Sequence, residues 1–556
     1  MKNWLYDGLM PKTRNNGQSV FLSTSDGSQL TYQQLEHSTA QAANALLSLG
    51  VQPDDRIAVQ IDKSVDGIII YLAALRVGAV FLPLNTAYVT AELDYFLTNA
   101  TPVIFICDPN KVPSLNDLLS VSELNLMTLN SKGQGSWKDL VELQSNSFAN
   151  IERNADDLAA ILYTSGTTGV SKGAMLSHDN LLSNAKALTN YWHYKSSDVL
   201  LHALPIYHTH GLFVAINVTL LATASIIYLE RFDTKTICQQ LPNATVLMGV
   251  PTFYTRLLQY EKFNAITCTN MRLFISGSAP LLAEDHQRFK ALTGKVILER
   301  YGMTETNMNT SNPYQAERRA GTVGLPLPSV EIRIIDQKTG HQSEADEIGM
   351  IEVKGPNVFK GYWKMPKKTA EEFTDDGYFV TGDLGLVDSD GYMSIVGREK
   401  DLIITGGLNV YPKDVELIIN QCKGVIESAV IGIADPDYGE KVVAVIVSEV
   451  NFKIEESDSN NDKLSNEKSL NKKLSNEKLF NQKSPNEKSS NEKSPNEKLS
   501  NEKSPNEKLS NEIRLALEKN LAKYKHPKQL IYVNYLPRNT MGKVQKNKLR
   551  ESYSIK

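Results

Sequence analysis

Hydroxyl and glycine residues are concentrated in one short stretch, residues 164–173, which reads TSGTTGVSKG. Apolar residues precede it and predict the end of a buried strand. Glycines let backbone N–H groups approach an anion closely, and hydroxyls add further donors. The stretch therefore predicts a phosphate-binding loop. Its candidate residues are Thr164, Ser165, Gly166, Thr167, Thr168, Gly169 and the cation Lys172.

This loop differs from a Walker A loop, because the pattern G-x-x-x-x-G-K-[ST] does not fit it. The alternative interpretation is an exposed turn, since loops are often rich in Ser, Thr and Gly. Five hydroxyl residues, three glycines and a lysine within ten residues favour phosphate binding over such a turn.

A second cluster of chemically useful residues lies at 299–306, with the sequence ERYGMTET. Tyr301 beside Gly302 has a ring that can stack on a base, and Thr304 can donate to a phosphate. Glu305 supplies a carboxylate, which Mg²⁺ accepts as a ligand together with phosphate oxygens. Taken alone the pattern is weak, because Tyr-Gly is also a common turn.

Three charged residues further along the chain suit the same kind of ligand. Asp383, at a predicted strand end, can accept both hydroxyls of a ribose, as acidic residues do in other nucleotide sites. Arg398 can bring a cation near the same sugar or phosphate. Lys543 lies in the loop PRNTMGKV and can stabilise negative charge that builds as a carboxylate attacks phosphorus. An ordinary turn aspartate and a solvated loop lysine are the alternatives.

The elements that must position these residues alternate between short apolar runs and longer helical patterns. From residue 19 to about 155, and again from the phosphate loop to about 320, this alternation predicts α/β subdomains with parallel sheets. Short strands joined by Asp-Gly turns then predict a small β-rich subdomain. We therefore predict a large N-terminal domain at 1–399 and a small domain of helices and strands at 400–556.

Five-residue units interrupt the small domain from Leu464 onward, many of them variants of Leu-Ser-Asn-Glu-Lys. A period of five fits neither a helix nor a strand, and Pro485, Pro495 and Pro505 break any helix that starts. We therefore predict a disordered insertion at about 455–511. Such an insertion costs little stability, because closure entropy grows only with the logarithm of loop length. A partner-binding segment is the alternative.

Composition excludes several classes of function. The 556 residues are 41% hydrophobic and carry a net charge of −4, which gives no reason to expect nucleic acid or an acidic membrane surface as partner. The four cysteines lack metal or redox spacing, as in a cytoplasmic protein. The N-terminus lacks a signal-peptide pattern. The uncharged run at 212–229 predicts a buried helix and a buried strand rather than a membrane span.

Five motifs together carry a resemblance to a known family: LYTSGTTGVSKG, YGMTET, TGD, GREKDLIITGG and PRNTMGKV. In order and approximate spacing they are similar to those of the AMP-forming acyl-CoA synthetases of the adenylate-forming superfamily. The resemblance covers nearly the whole chain except about 455–511. Within the family, residues 202–222, 244–259, 300–314 and 354–363 resemble the malonyl-CoA synthetases.

The resemblance implies an acid–thiol ligase that uses ATP, Mg²⁺ and coenzyme A. In such enzymes the acid attacks the α-phosphate of ATP, and the thiolate of coenzyme A then displaces AMP. The phosphate loop would hold the β- and γ-phosphates. The other implied roles are the adenine and α-phosphate region for Tyr301, Gly302, Met303 and Thr304, Mg²⁺ for Glu305, ribose for Asp383 and Arg398, and catalysis of the first step for Lys543.

The resemblance also implies that the small domain is a mobile α+β lid. It would rotate about a hinge at Lys400. The rotation would move Lys543 out of the site and bring Gly406 and Gly407 toward the pantetheine channel.

The acid pocket depends on fewer residues. The second carboxylate of malonate needs a cation, because burying an unpaired charge is costly. Arg256, at the end of GVPTFYTR, is our candidate, and a surface arginine is the alternative. Further donors implied by the resemblance are His208, His210, Ser276 and Ser278. Methylmalonate differs by one methyl group, so some activity toward it is expected.

Other functions stay open at this point. An acyl-CoA synthetase for acetate or medium chains shares every nucleotide motif, as does a luciferase-like enzyme. A peptide-synthetase adenylation domain would be followed by a carrier domain, and none precedes Lys556. A non-catalytic protein that binds a partner through the Asn-Glu-Lys repeat is disfavoured by the intact motifs.

Overall fold

The structure is a computed structural model that describes residues 2–10, 17–119, 124–164, 171–406, 408–449, 505–539 and 542–554. Its internal contacts divide the chain into two compact units. The first comprises Met1–Lys400 with Thr540–Lys543, and the second comprises Asp401–Asn539 with Val544–Lys556. The chain therefore passes from the first unit to the second directly after Lys400.

The first unit begins with alternating helices and strands. They are α1 (Trp4–Leu9), β1 (Val20–Thr24), β2 (Gln29–Thr31), α2 (Tyr32–Ser48), β3 (Arg56–Gln60), α3 (Val65–Arg76), β4 (Val80–Pro83), α4 (Thr90–Ala100), β5 (Ile104–Cys107), α5 (Val112–Leu119), β6 (Asn125–Thr128), α6 (Ser136–Glu142), β7 (Leu158–Thr164) and β8 (Lys172–Ser177). One sheet has the order β6-β5-β3-β4-β7-β8, parallel except for the β7–β8 hairpin. Its inner strands β4 and β5 are fully buried, as expected for parallel strands covered by helices.

A second α/β part follows. Its elements are α7 (His178–Tyr191), β9 (Val199–His202), α8 (Ala215–Ala222), β10 (Ser225–Tyr228), α9 (Thr234–Gln240), β11 (Val246–Gly249), α10 (Pro251–Leu258), β12 (Leu273–Ser276), α11 (Ala283–Thr293), β13 (Ile297–Met303), β14 (Asn307–Ser311) and β15 (Leu325–Pro326). The sheet has the order β15-β14-β13-β12-β11-β9-β10-β1-β2, with a parallel centre from β13 to β1. The predicted α/β fold class is confirmed by these two sheets.

The uncharged run at 212–229 forms the buried helix and strand that the sequence predicts. A five-residue π-helical turn, His210–Val214, leads into α8, and β10 follows. Nowhere in the described ranges is a helix both long and apolar enough to cross a membrane.

The first unit ends in a small antiparallel sheet. Its elements are β16 (Glu331–Ile335), β17 (Gly349–Lys354), α12 (Pro366–Glu371), β18 (Phe379–Val387) and β19 (Met393–Arg398). The strands follow one another in the order β16-β17-β18-β19. This sheet is the predicted β-rich subdomain, and it carries the Thr-Gly-Asp motif in β18.

The second unit is a sheet with helices. Its elements are β20 (Ile403–Thr405), β21 (Leu408–Val410), α13 (Pro412–Asn420), β22 (Val425–Asp435), β23 (Gly439–Ser448), α14 (Pro505–Asn520), β24 (Gln529–Val533) and α15 (Lys546–Tyr553). Its sheet has the order β21-β20-β23-β22, with β24 parallel to β23. The side chains of α13 and α14 pack into one core with this sheet.

The prediction of disorder is wrong for the last residues of the repeat, because α14 begins at Pro505. Proline is tolerated at the first position of a helix, where its missing N–H would be unpaired in any case. Leu509, Ile513 and Leu517 recur every four residues and are 6%, 0% and 2% exposed. The helix therefore forms because one face of it completes the core of the second unit. Residues 455–504 lie outside the described residues.

Candidate active site

The phosphate loop is the connection of the β7–β8 hairpin. Thr164, the last residue of β7, pairs with Lys172, the first residue of β8. The Thr164 hydroxyl donates to the Lys172 carbonyl at 3.4 Å. Antiparallel pairing therefore fixes both ends of the loop. Its central candidates, Ser165, Gly166, Thr167, Thr168 and Gly169, lie outside the described residues.

A network of hydrogen bonds links Lys172 to the candidate magnesium ligand. Lys172 Nζ lies 2.8 Å from Glu372 Oε1 and 4.1 Å from the centre of the Tyr362 ring. The Tyr362 hydroxyl lies 2.6 Å from Glu372 Oε2 and 3.1 Å from Glu305 Oε1. Burial raises the pKa of the Glu305 carboxyl. The phosphate-loop lysine and Glu305 thus share Tyr362 and Glu372 as a common support.

The candidate ribose residues also lie together. Asp383 in β18 is the register partner of Arg398 in β19, and Arg398 Nε lies 2.7 Å from Asp383 Oδ1. The Tyr301 hydroxyl donates to Asp383 Oδ2 at 2.6 Å, and the backbone N–H of Asp383 donates to the Thr381 hydroxyl at 3.0 Å. Burial, and then the Asp383 charge, raise the pKa of Tyr301, so its hydroxyl stays protonated as a donor. The structure therefore brings two predicted nucleotide residues, Tyr301 and Arg398, to the carboxylate of a third, Asp383.

The end of β13 has no room for a side chain at Gly302. A Cβ atom built there would lie 1.9 Å from the carbonyl oxygen of Asn307 on the paired strand. Met303, the last residue of β13, and Thr304, the first residue of the turn that follows, are half-buried. The next residue of the turn is Glu305, whose carbonyl accepts from the Phe359 N–H at 2.8 Å. Close packing of backbone thus fixes where Thr304 and Glu305 lie.

A cluster of buried and half-buried polar side chains comes from the end of β12, the middle of β13 and the turn His210–Val214. His210 Nδ1 lies 3.5 Å from the hydroxyl of Ser278. Ser276 and Arg300 are 1% and 3% exposed. The guanidinium of Arg300 packs against Gly277, where an added Cβ would lie 2.5 Å from Arg300 Cζ. We call His210, Ser276, Ser278 and Arg300 the polar pocket.

The charge in the polar pocket is not balanced. Within the described ranges, Nε and Nη2 of Arg300 have no hydrogen-bond partner, nor do the Ser276 hydroxyl and His210 Nε2. Burial lowers the pKa of Arg300 to about 9, which leaves it cationic at pH 7. Burial, and then the Arg300 charge, lower the pKa of His210 well below its usual range, so the imidazole is neutral. The pocket therefore offers one cation and several unused polar groups to an anion.

The hinge and lid candidates lie near the boundary between the units. Lys400 is the last residue of the first unit. Gly406 has φ +57° in the β20–β21 hairpin, a conformation that glycine adopts without strain, and Gly407 lies outside the described residues. Lys543 belongs to the short segment that groups with the first unit. The hinge and the roles of these residues stay predictions.

Comparison with known proteins identifies the family. The sequence signature of the AMP-binding enzymes matches residues 12–363. The chain belongs to this family. Among the AMP-binding enzymes, the malonate–CoA ligase of Arabidopsis thaliana is 32% identical over 498 residues, which is 85% of this chain and 74% of that protein. The long-chain fatty-acid–CoA ligase of Bacillus subtilis is 30% identical over 470 residues, or 78% of this chain and 83% of that protein.

A solved structure gives higher identity. The crystal structure of ATP-bound MatB from Rhodopseudomonas palustris aligns with a TM-score of 0.87 at 48% sequence identity. The alignment covers 100% of this chain and 99% of that one. The fold of this AMP-binding enzyme is therefore shared over the whole length of a solved relative. Because the named relatives act on different acids, the choice of acid must be argued from this chain's own pocket.

The cation that the structure places in the polar pocket is one that the sequence analysis missed. Arg256, the predicted cation, is exposed on the last turn of α10, with its guanidinium 6.0 Å from the centre of the Phe232 ring. Arg300 lies within the ERYGMTET motif but received no role. The sequence did contain an indication of its role. A charged residue close to the apolar start of a buried strand must either form an ion pair or face a polar ligand, because an unpaired buried charge is costly. His208 lies near Tyr207, with ring centres 4.7 Å apart, and burial lowers its pKa to about 4.

Proposed function

We propose that this AMP-binding enzyme joins malonate to coenzyme A at the expense of ATP, by way of malonyl-adenylate, and releases AMP and pyrophosphate. Methylmalonate is expected to react as well. The proposal includes a cytoplasmic location, in keeping with the four free cysteines.

One observation carries the choice of acid: the buried cation Arg300 has no ion-pair partner among the described residues. An alkyl chain placed against it would leave the guanidinium both desolvated and unpaired, which is costly. A carboxylate would accept two parallel N–H bonds from the same guanidinium. The hydroxyls of Ser276 and Ser278 offer further donors. A short diacid therefore suits the polar pocket better than a fatty acid does.

The first half-reaction needs positioning more than acid–base chemistry, because a carboxylate is already a nucleophile at pH 7. A malonate oxygen attacks the α-phosphorus, and the bond from that phosphorus to the bridging oxygen of pyrophosphate breaks. Asp383 and Arg398 hold the ribose, and Lys172 with the phosphate loop holds the leaving pyrophosphate. Lys543 stabilises the charge that builds on the attacking and equatorial oxygens.

The residues present fit a magnesium ion. Glu305 supplies a buried carboxylate that is joined through Tyr362 and Glu372 to the phosphate-loop lysine. This matches the usual arrangement of Mg²⁺, which binds one or two carboxylates and the phosphates of its substrate. When bound, the ion neutralises charge on those phosphates. Tyr362 orients Glu305 through the hydrogen bond at 3.1 Å.

In the second half-reaction the thiolate of coenzyme A attacks the carbonyl carbon of the adenylate, and the bond from that carbon to the AMP oxygen breaks. Lys543 has no role in this step. The lid, hinged at Lys400, would bring Gly406 and Gly407 to the pantetheine arm. A backbone without side chains at these positions would let the thin arm pass closely.

The test is pyrophosphate release from ATP with four acids: malonate, methylmalonate, acetate and octanoate. We expect the highest kcat/KM with malonate and a lower value with methylmalonate, since one methyl group changes binding by about 1–3 kcal/mol. Preference for octanoate or acetate would show that the enzyme activates another short or medium-chain acid. No release with any acid would favour the non-catalytic alternative.

A further inference from the structure

A lysine and a histidine lie behind the polar pocket, outside the residues used so far. Lys63 follows β3, and its ammonium group lies 2.8 Å from His202 Nδ1, 2.9 Å from the His202 carbonyl and 2.6 Å from the Leu229 carbonyl. The ammonium also lies 4.3 Å from the centre of the Tyr228 ring. His202, the last residue of β9, is 1% exposed. Burial lowers the pKa of Lys63 well below its usual range, but the three acceptors match the three protons of the ammonium form and so favour that form.

The hydrogen bonds determine the tautomer of His202. Its Nε2 lies 2.8 Å from the carbonyl oxygen of Gly211, which can only accept, so Nε2 carries the proton. Burial, and then the Lys63 charge, lower the pKa of His202 well below its usual range, so the ring is neutral. Nδ1 is then an acceptor for Lys63. Both ring nitrogens are therefore used, and the ring cannot turn without breaking two bonds.

The carbonyl that His202 holds belongs to the π-helical turn His210–Val214. Gly211 is packed so tightly that an added Cβ would lie 2.0 Å from the carbonyl oxygen of Pro205. The N–H of Ala215 reaches back five residues to the His210 carbonyl, which is the π-helical register. His202 thus holds the peptide between Gly211 and Leu212, one residue beyond the one that carries the His210 side chain. Because Gly211 has no room to shift and the Ala215 N–H holds the His210 carbonyl, fixing this peptide restricts the start of the turn from which His210 reaches Ser278.

We propose that Lys63 and His202 are positioning residues for the acid substrate: they hold the Gly211 carbonyl and thereby keep His210 in the polar pocket beside Ser278 and Arg300. The proposal rests on the proposed function, because that function makes the polar pocket the acid site. Neither residue touches the substrate. Their loss should weaken acid binding and leave ATP binding unchanged, since the nucleotide residues are held by separate contacts.

Two substitutions of His202 separate a positioning role from simple packing. The amide nitrogen of Gln occupies the place of Nε2, so His202→Gln keeps a donor for Gly211. The shorter Asn reaches only the Nδ1 side, so His202→Asn keeps the Lys63 contact and loses the Gly211 bond. We expect His202→Asn to raise the KM for the acid about tenfold or more, which is the loss of one hydrogen bond with its carbonyl left unpaired. His202→Gln should stay within about threefold of the wild type by retaining that bond.

The experiment measures the KM for the acid and for ATP in the full chain, with the melting temperature of each variant. Lys63→Met should raise the KM for the acid in the same direction as His202→Asn, because the imidazole then loses the donor that selects its Nε2–H tautomer, whereas the Gln amide has no tautomer to select. Arg76→Met is the matched control, because Arg76 is a buried cation bonded to the Glu36 and Phe148 carbonyls. It should lower the melting temperature without changing the ratio of the two KM values.

Equal acid KM in His202→Asn and the wild type would overturn the proposal, as would parallel rises of both KM values in His202→Asn and Lys63→Met. If His202→Asn does not fold, the KM values for the acid of Lys63→Met and His202→Gln are compared instead. A rise in Lys63→Met alone supports the proposal, and equal values in the two variants overturn it. Wild-type enzyme that prefers another acid would refute the malonate assignment alone. The positioning role of Lys63 and His202 is then tested with that acid, so failure of this proposal can be told apart from failure of the malonate assignment.

Discussion

Replacing Arg300 with methionine tests the acid site directly, because the side chain has a similar length but no charge. Arg300 is 3% exposed, and within the described ranges its Nε and Nη2 have no hydrogen-bond partner. Each charge-assisted hydrogen bond to a carboxylate contributes about 1.5–3 kcal/mol, and a forked pair makes two of them. Loss of the pair therefore removes about 3 kcal/mol or more, which is a fall of about 10²-fold or more in kcat/KM for malonate.

The same substitution should not destabilise the protein. In the free enzyme the Arg300 cation is desolvated without an ion-pair partner among the described residues. Its removal therefore eliminates an unfavourable desolvation free energy and breaks no ion pair. Replacing buried charges with apolar side chains of similar size is often neutral or stabilising by about 1–4 kcal/mol. We therefore expect the melting temperature of Arg300→Met to equal or exceed that of the wild type while malonate activity falls.

The assay is pyrophosphate release at varied malonate and at varied ATP, with thermal unfolding measured on the same preparations. Arg256→Met is the matched control, since Arg256 is exposed and a surface substitution usually changes stability by less than about 0.5 kcal/mol. We expect it to leave the KM for malonate nearly unchanged. Normal malonate activity in Arg300→Met, with a large loss in Arg256→Met, would refute the structural argument and restore the cation chosen from the sequence.

Three other predictions concern the catalytic lysine, pH and the repeat. Lys543→Ala should lower pyrophosphate release by about 10²-fold or more and thioester formation from supplied adenylate much less; equal losses in the two assays would contradict its role. Burial, and then the Arg153 charge, lower the pKa of His178 to about 4, from the ordinary histidine value of about 6.5. As the pH falls, the unfolded chain therefore takes up this proton before the folded chain does. The contribution of His178 to the free energy of unfolding is complete above pH 6.5 and should fall by about 1.4 kcal/mol per pH unit down to pH 4. In denaturant unfolding, His178→Asn should show a smaller change of the free energy of unfolding with pH over that range, and an unchanged pH dependence would assign the acid sensitivity to other groups. Deleting residues 455–504 should preserve activity and melting temperature. Deleting residues 455–511 also removes Leu509 from the core and should lower the free energy of unfolding by about 2–5 kcal/mol. Equal melting temperatures for the two deletions would show that the start of α14 is dispensable.

The candidate nucleotide residues could be chosen from the sequence because their types lie in short contiguous motifs. Tyr301, Asp383 and Arg398 come from three separate motifs, and in the structure Tyr301 and Arg398 both contact the Asp383 carboxylate. Their chemistry could be inferred from residue type, although their distances could not. Lys172 and Glu372 are 200 residues apart in the sequence, and their contact depends on how two subdomains pack. A local sequence pattern therefore could not predict it.

The acid site was harder to predict because no short motif encodes a pocket. Arg256 and Arg300 are both arginines beside apolar residues, and the sequence alone does not say which one is buried. Burial depends on the packing of β12 against β13, which leaves space for a guanidinium only because residue 277 is a glycine. The helix start at Pro505 was missed for a similar reason, since the core that its apolar face completes lies elsewhere in the chain.

The order of residues in β13 has a consequence for how such an enzyme can change. Arg300 and Tyr301 are neighbours, and successive side chains of a strand point to opposite faces. One therefore faces the polar pocket while the other reaches Asp383. Under the proposed function, one strand of seven residues separates the acid from the nucleotide. We then expect that a substitution on the pocket side can change the choice of acid without moving the residues around Asp383.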